Sequence, residues 1–157
     1  MSRDLALRRI HPGAVPDALE KARVYRLLNE PEQAESICLD ILAIQPHHQL
    51  ALETLILALT DQFSRRAELV AAARTWVGQL QGEYERLYYT GLVLERDARA
   101  QLAHGPSGGS ARELLLEAID QYERAEALRP QGNDDPILRR NGCLRAMAAH
   151  GFVSLAP

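Results

Sequence analysis

Apolar residues recur along this chain at helical intervals. Ala18, Ala22 and Tyr25 stand at i, i+4 and i+7, which places them on one face of a helix over 17–28. Ala34, Ile37, Cys38, Ile41 and Leu42 trace a second stripe, and Leu52, Leu55, Ile56 and Leu59 a third over 47–60. Ala67, Val70, Ala71 and Trp76 mark a fourth helix, expected over 64–80 with Ser64 as its N-cap. A fifth, longer helix is predicted over 83–103, where Leu94, Ala98 and Leu102 share a face. Ala111, Leu115 and Ala118 open a sixth, running to about 128, and a seventh spans 136–150.

Prolines and glycines divide these segments. His11–Pro16 holds two prolines and a glycine, so regular helix begins near Pro16, with Asp17 beside the positive end of the helix dipole. Pro31 disfavours helical geometry at Glu30 and opens the second helix, which stops before Pro46. Gly82 allows the break before the fifth helix. Gly105–Gly109 is the low-complexity loop, and Ser110 with Glu113 has capping-box spacing. Helices joined by short turns predict stacked αα-hairpins.

The helices also repeat. Ala34, Cys38, Ile41 and Pro46 follow offsets of 4, 7 and 12, and Ala118, Tyr122, Ala125 and Pro130 follow the same offsets. Repetition of helix pairs is the signature of an α-solenoid. At these residues the chain resembles the tetratricopeptide repeat (TPR) family, whose unit of about 34 residues pairs two helices. Thr90-Gly91 with Leu94, and Asn141-Gly142, resemble degenerate forms of the family's first-helix Leu-Gly pair. Lys21-Ala22 with Tyr25 serves in the first unit, with Lys21 where the family carries an apolar residue, so that side of the first hairpin is expected to be loosely covered.

The resemblance implies an all-α, right-handed solenoid of about seven helices in one domain, 1–157. Its repeats would be about 15–48, 49–82 and 83–131, with a capping helix at about 136–150. Gly91 to Ala118 is 27 residues, against 12 from Ala22 to Ala34. Split evenly, the excess adds about 11 Å to each helix of the third pair. This predicts an elongated third hairpin that projects beyond the stack, tipped by Gly105–Gly109.

By the same resemblance, the first helices of successive units line a concave groove that binds another protein without catalysis. The groove positions are Leu19, Arg23 and Arg26 on the first helix and Glu53, Leu57 and Thr60 on the third. Tyr88, Leu92 and Glu95 follow on the fifth, and Arg139 and Cys143 on the last. A partner peptide or helix would lie against Leu57, Tyr88 and Leu92, with Arg23, Arg26, Glu53 and Glu95 setting its register. Leu19 and Arg23 stand where some relatives carry a Lys/Asn carboxylate clamp, so binding of acidic chaperone tails is not implied. Self-assembly, through the third hairpin or the face around Lys21, and service as a client-specific chaperone are the alternative functions.

Composition narrows the remaining classes. The chain is 46% hydrophobic and 25% charged, the balance of a folded globular domain. Leucine and alanine dominate, and strand formers are scarce. Seventeen of the 18 basic residues are arginine, interleaved with acids as in Glu123-Arg124, and the net charge is −3; no nucleic-acid partner is expected. No apolar run approaches the ~18 residues of a membrane span, and the first residues lack signal-peptide character, so a cytoplasmic location is expected. Cys38 and Cys143 lack CxxC spacing and are expected as free thiols. His47 and His48 are adjacent, which turns them about 100° apart on a helix and disfavours chelation of one metal. HExxH, GxxxxGK[ST] and GxSxG motifs are absent from the sequence. No metal, cofactor or enzymatic activity is expected.

Overall fold

A computed structural model describes residues 3–105 and 109–157. The described residues form seven α-helices and no strand: α1 (Val15–Leu27), α2 (Pro31–Ile44), α3 (Gln49–Thr60), α4 (Leu69–Val77), α5 (Glu83–Ala103), α6 (Ser110–Leu128) and α7 (Asp135–Ala149). A short 3-10 turn, Pro12–Ala14, leads into α1.

The helix ends follow local chemistry. Asn29 adopts a left-handed conformation, φ 60°, and the Glu30 N–H reaches back to the Tyr25 carbonyl at 2.8 Å. That six-to-one bond closes α1 as a Schellman motif. Gly151, φ 73°, and the Phe152 N–H to Met147 carbonyl bond end α7 the same way. His48 caps α3, its Nδ1 accepting from the Ala51 N–H at 3.2 Å.

Two expected boundaries differ. The fourth helix begins at Leu69 rather than Ser64. Turns occupy residues 61–68 because the fully buried Gln62 side chain competes for the chain there. Its Nε2 donates to the Ala58 carbonyl at 3.0 Å and to Glu35 at 2.9 Å, and its Oε1 accepts from Arg66 at 3.1 Å. At the start of α6, Ser110 is the first helical residue, not the cap. Its hydroxyl donates to Gln101 Oε1 at 3.1 Å, so the capping box does not form.

Consecutive helices pack on one another throughout. In addition α1 packs on α3, α3 on α5, and α5 on α7. The α5–α6 pairing is the most extensive. Gly91 permits its close approach: a Cβ there would lie 2.8 Å from the Tyr122 ring. Ala22, Ala34, Ala118 and Ala125 are all fully buried between helices. Two apolar cores result. One gathers α1–α4 with Val93 of α5, and the other gathers α6 and α7 with Leu94 and Ala98 of α5. Adjacent residues of α5 therefore serve different cores.

The third hairpin is long, at 21 and 19 residues against 13 and 14 for the first. The end of α5 does not project freely. His104 Nε2 donates to the Ser64 carbonyl, and Ala100 packs on the first core. The extension thus lies along the turns that replace the first part of the expected fourth helix. Of the predicted tip, Pro106, Ser107 and Gly108 lie outside the described residues. Lys21 is exposed, beside a depression of about 270 Å³ that Ile10, Ala18 and Ile37 line.

Candidate functional site

The odd-numbered helices carry the candidate site. On α3 almost the whole circumference is buried; Glu53 and Leu57, one turn apart, keep partial exposure, and Asp61 follows one turn later. Arg23 of α1 is exposed and lies 3.8 Å from Glu20. Arg26 reaches across instead. Its Nε donates to Asp61 Oδ2 at 2.7 Å and its Nη2 to Oδ1 at 3.3 Å. Arg96 of α5 approaches the same carboxylate at 3.5 Å. One carboxylate at the end of α3 thereby ties α1 to α5.

A second carboxylate ties α5 to α7. Glu95 is 1% exposed. Its Oε2 accepts from Arg139 at 3.1 Å and lies 3.5 Å from Arg99, while its Oε1 accepts from the Cys143 thiol at 3.1 Å. A buried charge survives only with such partners.

Nearer the N-terminus of α5 than either carboxylate pair lies an aromatic cluster. Tyr88 stacks on Tyr84 at 6.0 Å, meets Tyr89 edge-on at 5.1 Å and tilts against Tyr122 at 5.8 Å. The Tyr84 hydroxyl accepts from Asn133 at 2.9 Å. The Tyr89 hydroxyl faces Glu53 and the Tyr88 hydroxyl faces Arg139, each in hydrogen-bonding reach. The Tyr122 hydroxyl is buried without a partner.

Burial governs the ionisation of these groups. It raises the Glu53 carboxyl above its ordinary value, the Tyr89 hydrogen bond opposing and Glu85 adding to the shift. Burial pushes Tyr84 up to about 12 and raises Tyr89 further, with Glu53 beside it. Cys143 is raised by burial and then by the charge of Glu95, so its thiol stays protonated and donates. Burial likewise pushes Cys38 up to about 12. Neither sulfur is a thiolate at neutral pH.

These positions correct part of the expected groove. Leu92 is fully buried and Glu95 nearly so, so neither offers a surface to a partner. Leu19, Thr60 and Cys143 are buried as well. The reason is visible on α5, where Gly91 to Glu95 are five consecutive buried residues. At 100° per residue they cover a full turn, so α5 is enclosed on every side by α3, α4, α6 and α7. Arg26 and Arg139 are half-buried and held by Asp61 and Glu95. The positions that keep a partly open apolar surface are Leu57 and Tyr88, with Glu53 and Arg23 beside them.

Asp61, Tyr89, Arg96 and Arg99 enter the site without having been singled out by pattern. Their signal was present as register. Glu53 and Asp61 are eight apart on α3 and face Tyr89 and Arg96, seven apart on α5. Together Arg23, Arg26, Arg96, Arg99 and Arg139 face Glu53, Asp61 and Glu95. With Glu20 beside Arg23 and Glu85 beside Glu53, the five arginines are matched by five carboxylates.

Comparison with known proteins finds no matching family model, no significantly similar curated protein and no significantly similar solved structure. Among the described residues, no helix is long and apolar enough to cross a membrane.

Proposed function

We propose that the chain is a TPR-like helical-repeat module that binds a segment of another protein, without catalysis, across the face of α1, α3, α5 and α7. One observation carries this reading. These four helices pack in succession, and paired charges hold them together while leaving Leu57 and Tyr88 partly open between Arg23 and Arg139. An apolar floor within a charged rim suits a peptide or helix with one apolar face. The repeated Ala–Cys/Tyr–Ile/Ala–Pro spacing of α2 and α6 supports the TPR-like part of the proposal. A cytoplasmic setting belongs to the same reading, supported by two buried free cysteines.

The test is capture of partners from extract by the wild-type chain and by Leu57→Glu plus Tyr88→Ala. Leu57 and Tyr88 are partly exposed, so a charge at 57 meets the partner directly. Loss of one buried anchor is worth about 2 kcal/mol, or more than tenfold in affinity. The double variant is expected to keep its far-ultraviolet circular dichroism and to lose the partner. Equal recovery by a folded double variant rejects the groove.

A further inference from the structure

A second surface lies on the opposite side of α1. Val24 is two residues from Arg26, or about 200° around the helix, so this surface is separate from the groove. Val24, Tyr25 and Leu28 line a depression of about 390 Å³ beside Asp17, Glu20 and Lys21. It continues past Asp17 and Lys21 into the 270 Å³ depression over Ala18 and Ile37, which Asp40 borders. The apolar lining is substantial, and Leu28 is 63% exposed. Three carboxylates, Asp17, Glu20 and Asp40, outnumber the single cation Lys21 among these lining residues. The Glu20–Arg23 approach of 3.8 Å is between exposed groups and holds little.

The same chain carries the complementary element. Residues 3–9 form an arm without helix or strand, exposed along its length. Leu5 is 83% and Leu7 96% exposed. Residues two apart point to the same side of an extended segment, so an arm that extends on binding would present both leucines together. Arg3, Arg8 and Arg9 outnumber Asp4, which makes the arm basic where the depression is acidic. A seven-residue arm spans about 23 Å extended, and the 13-residue α1 about 20 Å. The arm leaves its own body at Ile10, which is half-buried against the first core and lines the smaller depression, while residues 3–9 remain exposed.

We infer that two copies exchange these arms. Leu5 and Leu7 of each copy seat on α1 of the other, over Val24, Tyr25 and Leu28. The arm arginines meet Asp17, Glu20 and Asp40. Reciprocal exchange uses both arms and both depressions, so the assembly closes as a two-fold dimer. The attraction combines burial of two leucines per arm with exposed charge pairs, so it weakens as salt rises.

Sedimentation velocity on the full chain tests this. Wild type is expected to form a dimer with rising concentration. Leu5→Asp plus Leu7→Asp is expected to dissociate it at least about tenfold, and Leu28→Asp to do the same. All three positions are exposed, so circular dichroism should report unchanged helix. Mixing the arm variant with the Leu28 variant should recover a heterodimer joined by one arm. A wild-type chain that stays monomeric to about 1 mM, or a dimer that the arm variant does not weaken, overturns the inference. The groove variant Leu57→Glu plus Tyr88→Ala should still dimerise, which separates this surface from the partner-binding face.

Discussion

At the scale of the residue, Glu53 shows how burial sets a charge. Its carboxyl is raised above the ordinary glutamate value of 4.5, first by burial and despite the hydrogen bond from Tyr89. A raised acid is easier to ionise in the unfolded chain than in the folded one. Its ionisation therefore costs stability once the pH exceeds the unfolded value, and the cost reaches its full size above the folded value. Below the unfolded value the group is neutral in both states and the cost vanishes. Glu53→Gln is accordingly expected to be at least as stable as wild type at pH 7, with the difference disappearing below about pH 4. Chemical denaturation at both pH values measures it. A variant less stable at pH 7 and equal at pH 4 would mean that the charge helps the fold. Tyr122 presents a related case. Its buried hydroxyl has no partner, yet its ring fills the space that Gly91 leaves open, so packing outweighs the unsatisfied group.

At the scale of the element, the stretch 61–68 is the clearest departure from helical pattern. Ser64 had the chemistry of a cap and Ala67 the periodicity of a helix. Gln62, one residue past the C-cap of α3, instead turns inward and bonds to Ala58, Glu35 and Arg66. Those three bonds engage both the amide nitrogen and the oxygen of the side chain and hold a series of turns. The turns in turn receive His104 from the end of α5. Gln62→Ala removes the amide and leaves the Ala58 carbonyl and Glu35 without this donor. The expected cost is about 1–3 kcal/mol, with faster amide exchange confined to 61–68 and to the last turn of α5. Exchange that stays unchanged there would assign the turns to the buried Phe63 alone.

At the scale of the molecule, α5 is the element on which both cores depend. Val93 belongs to one and Leu94 to the other, so neither core is complete without it. Met147→Ala opens the second core at a fully buried position and should cost about 2–4 kcal/mol. The single tryptophan, Trp76, packs on the first core. Because α5 joins the two, Trp76 fluorescence and circular dichroism should move to lower denaturant together in this variant. A fluorescence midpoint that stays in place would show that the halves unfold independently, as weakly coupled repeats do.

How far the sequence could be read follows from the same residues. The helices were legible because a 3.6-residue period, and a proline or glycine at every boundary except the one between α3 and α4, act locally, within a few residues of chain. Pro31, Gly82 and Pro130 mark ends that the structure keeps. The close-packing alanines were legible because small residues recur at fixed offsets. The open face of each helix was not legible. Leu57 and Leu92 look alike in sequence, each an apolar residue on the presumed groove side, yet Leu57 keeps an open edge and Leu92 is enclosed. Whether a position is covered depends on which side of its helix the neighbours lie on, since α3 and α5 each pack against four other helices. The pairings of Asp61 with Arg26 and Arg96, and of Glu95 with Arg139, join residues 35 to 44 apart in the chain. Local pattern determined which segments are helices and, apart from the start of α4, about where they end. Only the tertiary structure decided which charges are spent on one another and which apolar residues remain to meet a partner, because those depend on distances between helices that no local period encodes.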